Sequence, residues 1–246
     1  MKFSKTEITL YILAFLVLII GIFLLPNLPD KMATHWNQFG VADGFSSKIV
    51  GVLIMPISFL VLAFIYSLVS RTKYIKEDKE LKRPLDKIMI AAAFFLLLIS
   101  VLSFLWNVGY TFNMSYFIWP PTGLLFFLLG YLVIDVKQNY FFGIRNLWTL
   151  KSKKVWIKTH FVSGIFFMLL GLFMLYTIFF INYAFLILLI GVLIYGIFSF
   201  IYSFLIYKNE KNIKTLNPKT VVVTKKFFFY LFIISIITFL ILLIIK

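Results

Sequence analysis

Hydrophobic positions in this chain come in long unbroken runs, with neither the spacing of an amphipathic helix nor the alternation of a half-buried strand. Seven runs stand out: Ile8–Leu25, Val50–Val69, Ile88–Trp106, Phe117–Ile134, Phe161–Phe180, Tyr183–Tyr207 and Phe227–Ile245. None contains Asp, Glu, Lys, Arg or His. About 18 or more apolar residues cross the roughly 30 Å hydrocarbon core as a helix. The pattern therefore predicts an all-α, polytopic integral membrane helix bundle of about seven transmembrane helices. The fifth and sixth runs are nearly continuous over the 47 residues Phe161–Tyr207. As one helix that stretch would be about 70 Å long, so Asn182 is read as the turn of a tight hairpin.

Composition agrees with the pattern. Of the 246 residues 62% are hydrophobic and only 13% charged, with a mean hydropathy of +1.02. A soluble domain has no interior large enough to hide so much apolar surface. Cysteine is absent, which removes disulfides, thiol chemistry and Cys-based metal sites. Lys2 and Lys5 precede an apolar run longer than a signal peptide's and without a small-x-small cleavage site, so it reads as an uncleaved first helix.

The net charge of +15 changes the picture through its distribution. Seven Lys and Arg residues fall in Arg71–Lys87, six in Lys137–Lys158, six in Lys208–Lys226, and two are Lys2 and Lys5. The alternate segments hold Lys31, Lys48 and Lys246. Basic residues concentrate on the cytoplasmic side of a membrane protein. The N-terminus is therefore expected inside and the C-terminus outside. Basic loops of this kind meet lipid headgroups, and without interleaved aromatics they do not suggest direct nucleic-acid binding. Lys76–Arg83 reads as a short surface helix stopping before Pro84, and Pro120–Pro121 fit the first turn of the fourth span. Gly123/Gly130 and Gly164/Gly171 lie two turns apart on one face, as close helix packing requires. No repeat or linker divides the chain. It reads as one membrane domain, 1–246: first helix and outer loop (1–49), core with inner loop (50–180), and two C-terminal helices (181–246).

Polar information concentrates in two loops. The outer one, Leu28–Lys48, contains His35, Trp36, Asn37, Gly40, Asp43 and Gly44. Asp43-Gly44 is a turn signal, and Trp36 and Phe45 suit the interface, so a compact structured loop is expected. Asp30, His35 and Asp43 could hold a cation, but structural closure or recognition of an extracellular partner is the preferred reading. The inner loop holds Asn139, Gly143, Arg145, Trp148, Thr149, Trp156, Lys158 and His160. There Thr149 is placed to cap a helix over Leu150–Trp156 that presents Trp156 to the bilayer. Arg145 is expected to pin the loop by pairing with Asp135 or a lipid phosphate, since Arg favours two-pronged contacts. No catalytic motif is present, and no ionisable residue lies within a span as a coupled transporter would need. Neither cofactor nor metal is called for.

At these residues the chain resembles the SdpI-like membrane proteins. Leu28-Pro29, His35-Trp36-Asn37, Gly40 and Asp43-Gly44 match one signature of that family. Asn139, Gly143-Ile144-Arg145, Trp148-Thr149-Leu150, Trp156, Lys158 and Thr159-His160 match a second. Gln138 and Leu147 stand where the family usually has proline, and the seventh run lies beyond the resemblance. The resemblance implies a non-enzymatic protein giving immunity to a secreted membrane-active peptide toxin. It also implies, for some members, signalling by holding a transcriptional repressor at the membrane. The competing readings are a transporter or lipid-handling protein with a cavity between helices, and an enzyme acting on lipid headgroups at the inner face.

The charge-derived topology has a direct test, because no native cysteine interferes. Single cysteines at Gln38 and Ser115 should react with an impermeant thiol reagent in intact cells, whereas Lys79, Lys153 and Lys214 positions should be protected. Labelling from outside at Lys153 would overturn the helix count.

Overall fold

The computed structural model describes residues 3–212 and 214–245, so Lys2 and Lys246 of the charge argument lie outside the described residues. The elements are α1 (Lys5–Leu24), β1 (Lys31–Trp36), β2 (Ala42–Ser47), α2 (Lys48–Ser70), α3 (Lys73–Glu77), α4 (Lys79–Asn107), α5 (Ser115–Val133), α6 (Leu147–Lys151), α7 (Lys153–Leu175), α8 (Ala184–Lys208) and α9 (Pro218–Ile245). Short 3₁₀ segments occupy Leu25–Asn27, Tyr176–Tyr183 and Glu210–Asn212. Among the described residues, six continuous helical stretches are long and apolar enough to cross a membrane. The longest, Lys153–Lys208, is divided in its 3₁₀ segment by Phe180, whose φ of −142° and ψ of 53° break the helix. The α7 and α8 halves pack against one another, and each is long enough to span by itself. The break falls two residues before Asn182.

Contacts cluster into two compact units, Met1–Pro121 and Thr122–Lys246. In the first, α1, α2 and α4 pack together. A Cβ on Gly21 of α1 would lie 2.6 Å from Val52 of α2. The helices are joined at one end by buried charge. Ser4 and Glu7 form a capping box on α1. The Glu7 side chain, only 2% exposed, accepts from Arg71 at 2.6 Å and from Ser67 at 2.7 Å. Buried Tyr66 donates to Asp86, and its hydroxyl accepts from Lys82 and lies 3.2 Å from Ser4 Oγ. Glu7 stands one residue ahead of the first apolar run, which is why a search inside the runs does not find it.

The second unit is built on a crossing of α5 and α7 at glycines. A Cβ on Gly123 would lie 2.6 Å from the carbonyl of Gly171, and one on Gly130 would lie 2.5 Å from that of Gly164. The expected role of these four glycines, close backbone approach, is what the structure has. On α9, Phe232 stacks on Phe127 of α5 at 4.3 Å, and Lys225 pairs with Asp135 at 2.9 Å.

Two helix boundaries differ from expectation. The segment Lys76–Arg83 does not form a separate helix ending at Pro84: α3 stops at Glu77, and Asp78 caps α4 through its carboxylate. Helix α4 then runs through Pro84, in its second turn, giving up a single backbone bond. Likewise Pro120 and Pro121 lie inside α5, because the helix already starts at Ser115, whose N–H is taken by Asn113 at 2.9 Å.

Removing one partner of a buried ion pair leaves an uncompensated charge, at a cost of about 3 kcal/mol. Arg71→Met should therefore destabilise the protein in a detergent unfolding titration, and Glu7→Gln/Arg71→Met should be more stable than Arg71→Met alone. Simple addition of the two single effects would refute this account.

Candidate functional site

The outer loop is a β-hairpin, not an irregular loop. β1 and β2 pair antiparallel, with Lys31 opposite Ser47, Met32 opposite Ser46, Ala33 opposite Phe45, His35 opposite Gly44 and Trp36 opposite Ala42. Register shifts flank His35. Asp43-Gly44 is not the turn, contrary to its sequence signal. The turn is Asn37–Val41, closed by the Asn37 N–H to the Val41 carbonyl at 2.9 Å. The Asn37 side-chain oxygen accepts from the amides of Phe39 and Val41, so this side chain builds the turn from inside. Gly40 has φ +77°, and a Cβ there would fall 1.9 Å from Asn113, so both conformation and space demand glycine. Gly44 serves differently: it leaves room for His35, whose Cβ would lie 2.7 Å from an added methyl.

The hairpin is gripped by its own unit. The Asn107 amide on α4 binds both backbone groups of Ala33, accepting its N–H at 2.8 Å and donating to its carbonyl at 3.0 Å. Asn113 donates to the Phe39 carbonyl at 2.8 Å, and Ser115 to that of Gln38 at 3.2 Å. Met32 packs on Gly51, and Trp36 meets Trp106 edge-to-face at 5.8 Å. His35 and Asp43 remain at the surface, 70% and 45% exposed, with Nδ1 2.6 Å from the carboxylate. Asp30 instead pairs with Lys48 at 2.9 Å. The hydrogen bond and charge of Lys48 hold the Asp30 carboxyl below its usual pKa. Asp30, His35 and Asp43 therefore do not converge on one point. Ser115, chosen above as a labelling position, is buried. Tyr110, 70% exposed on the same loop, is the better one.

In the second unit the inner loop is held by its motif residues. Asn139 accepts from the amides of Phe141 and Phe142 at 2.8 and 2.9 Å. His160, fully buried, accepts the Ile144 N–H on Nε2 at 2.9 Å and therefore donates from Nδ1 to the Trp156 carbonyl at 2.9 Å. The imidazole is thus the neutral Nδ1–H tautomer, acting as a bridge from α7 to the loop. Trp156 stacks on it at 3.9 Å and donates to the Val136 carbonyl at 2.7 Å. Gly143, at φ +101°, passes so close to this histidine that a Cβ would lie 2.5 Å from Nε2.

Three expectations need correction here. Thr149 does not cap a helix over Leu150–Trp156. Asn146 caps α6, with Thr149 closing the capping box from inside and donating to the Ile144 carbonyl at 2.8 Å. Ser152 then caps α7, so Trp156 belongs to that helix and is buried, not turned to lipid. Arg145 does not pair with Asp135. Its guanidinium donates to the Tyr140 carbonyl at 2.6 Å and is exposed, while Asp135 is taken by Lys225. Trp148 packs on Phe200 and Phe204 of α8, and Lys158 is half-buried on α7. The roles of Asn107, Asn113 and Asn146 have no sequence motif, and Gln138, noted above only as a departure from the family's proline, donates its amide to the carbonyls of Thr149 and Leu150. Loop-adjacent amides were the available signal.

The two segments coincide with what comparison finds. The SdpI/YfhL protein family matches residues 135–203, covering the inner loop, α7 and most of α8. A domain of unknown function (DUF1648) matches residues 12–60, which include the hairpin. The chain is 24% identical over 159 residues to the immunity protein SdpI of Bacillus subtilis (strain 168), covering 63% of this chain and 72% of that protein. No solved structure matches.

The Gly143–His160 contact separates strain from crowding. Gly143→Ala should cost about 3 kcal/mol, combining a positive φ with a clash. Gly109→Ala, at φ +110° but with nothing within 4 Å, should cost about 1 kcal/mol, strain alone. Equal shifts of their unfolding midpoints in detergent would show that the histidine contact contributes nothing.

Proposed function

We propose that this chain, an SdpI-like membrane protein, is a membrane immunity protein that protects its cell from a secreted, membrane-active peptide toxin met at the β-hairpin. Basic residues gathered in alternate connections support an N-terminus in the cytoplasm, the hairpin outside and the inner loop inside. The reading is non-enzymatic: the hairpin binds, and nothing is turned over.

What supports it most is the way the hairpin is held. A flexible tether needs no Asn37 scaffold, no Gly40 fitted against Asn113 and no Asn107 amide on its edge. Holding an exposed segment in one conformation removes the ordering cost from a binding step. The exposed His35–Asp43 pair with the neighbouring Phe39, Val41 and Phe45 side chains then forms a preset polar and apolar surface. The inner loop presents Tyr140, Arg145 and Leu147, a suitable face for a cytoplasmic partner such as a transcriptional repressor. A lipid-handling role would use a different feature, an apolar groove of about 660 Å³ between α7 and α8, lined by Phe166, Leu170, Phe173 and Ile190 among others.

Deleting the gene from the strain that carries it should make that strain sensitive to its own culture medium, and the wild-type chain should restore survival. Gly40→Val, which disrupts the turn, should lose most protection at normal membrane levels, whereas Arg145→Ala should keep it. A deletion strain as resistant as its parent would overturn the immunity reading.

A further inference from the structure

The hairpin has two edges, and they are treated differently. In an antiparallel pair, residues directly opposite one another either exchange both backbone hydrogen bonds or turn both their N–H and C=O groups away from each other. Ala33 and Phe45 are opposite residues. Both backbone groups of Ala33 are bound by the Asn107 side chain, so they point away from β2. It follows that the N–H and C=O of Phe45 point away from β1, to the outer edge of β2. The flanking Asp30–Lys48 backbone bond, at 3.0 Å, has the alternation this register requires.

The Ala33 edge is thus closed by an amide that imitates a neighbouring strand. The Phe45 edge has no such cover: among the described residues no side chain, and no backbone group outside the hairpin ladder, bonds the backbone of Phe45. Its side chain is 56% exposed, and Asp43 and Ser47 are exposed beside it. An open strand edge is a template for an added strand. Register shifts on either side of His35 limit the regular part of this edge to Phe45–Ser47, a stretch too short to seed open-ended sheet growth but sufficient to align a short extended segment.

We propose that the free edge of β2 at Phe45 takes up an extended backbone segment of the peptide toxin as a third strand, with the Phe45 ring against an apolar side chain of that segment. This rests on the immunity reading and specifies how the toxin is held. Main-chain recognition tolerates sequence change in a peptide, while Phe45 and the His35–Asp43 pair choose its side chains.

The test uses a substitution that deletes a donor without touching the hairpin ladder. Phe45→Pro removes the outward N–H, and proline is tolerated at an edge position whose N–H faces solvent. Phe45→Leu keeps that N–H. In the deletion strain challenged with the hydrophobic peptide fraction of its own medium, Phe45→Leu should protect nearly as well as wild type. Phe45→Pro should protect about tenfold less, the scale of one lost hydrogen bond. In purified wild-type protein, the same fraction should slow hydrogen exchange of the Phe45 amide. That second measurement holds even if Phe45→Pro fails to fold. Full protection by Phe45→Pro, or unchanged exchange at Phe45 with peptide bound, would sink the strand-addition proposal and leave the immunity reading standing. If wild type itself restores no protection, both fall.

Discussion

Next to hydrocarbon, a backbone amide that leaves a helix has no water to turn to and must be satisfied by the protein. Where this chain leaves its helices, side-chain amides supply many of the missing partners, at the buried Ala33 and at exposed loop positions alike. Asn107 closes the edge of β1 at Ala33, Asn37 fills the hairpin turn, and Asn113 holds the Phe39 carbonyl. In the other unit, Asn139 and Asn146 take the amides at the start of the inner loop and of α6, and Gln138 covers two carbonyls at the end of α6. An amide suits the task because it offers donors and acceptors together and carries no charge. Both motif segments can therefore leave the helices without being loose.

The same constraint explains what was legible in the sequence. Spans are legible because a membrane helix satisfies itself, so its residues need only be apolar, and the seven runs correspond to helices or helix halves. Motif residues were legible as a cluster but not in their roles. Thr149 was expected to cap a helix and instead lies inside the capping box of Asn146, since both residue types accept from backbone amides and only the local conformation decides between them. Asp43-Gly44 has the composition of a turn, yet Asn37 and Gly40 make the turn, because Asn113 reaches the chain there. Asp135 is expected to pair with Arg145 because it is the only acid near that loop in sequence. Its partner Lys225 is 90 residues away, on a helix whose packing no local pattern announces.

Charge placement follows a related logic. The apolar runs carry no charged residue, but charges gather at their ends in pairs, one of them built on the buried Glu7. Glu7 is nearly inaccessible, and its carboxylate is satisfied by the Ser4 amide, Ser67 and Arg71. Such a pair adds little net stability over an apolar alternative, but it penalises any arrangement that separates the partners. The network thereby fixes the register of α1, α2 and α4. These helices also carry the hairpin, through Met32 on Gly51 and Ala33 on Asn107.

This gives the hairpin a physical character that matters for recognition. Its β1 edge and its base are tied to helices whose mutual register is itself fixed, and its turn is held by Asn113 and Ser115, so its ordering cost is met on folding. What is left open lies on the opposite edge, at Phe45, beside a surface hydrogen bond between His35 and Asp43. Were the open edge only an unmet cost of folding, a second cap like Asn107, or a charged residue blunting the edge, would be the simple remedy. Asp43 could serve as that charge, but its carboxylate is already engaged by His35 Nδ1 at 2.6 Å. The edge is thus open to backbone contact, with its one neighbouring carboxylate turned to His35, the arrangement expected of a surface kept available for an extended peptide.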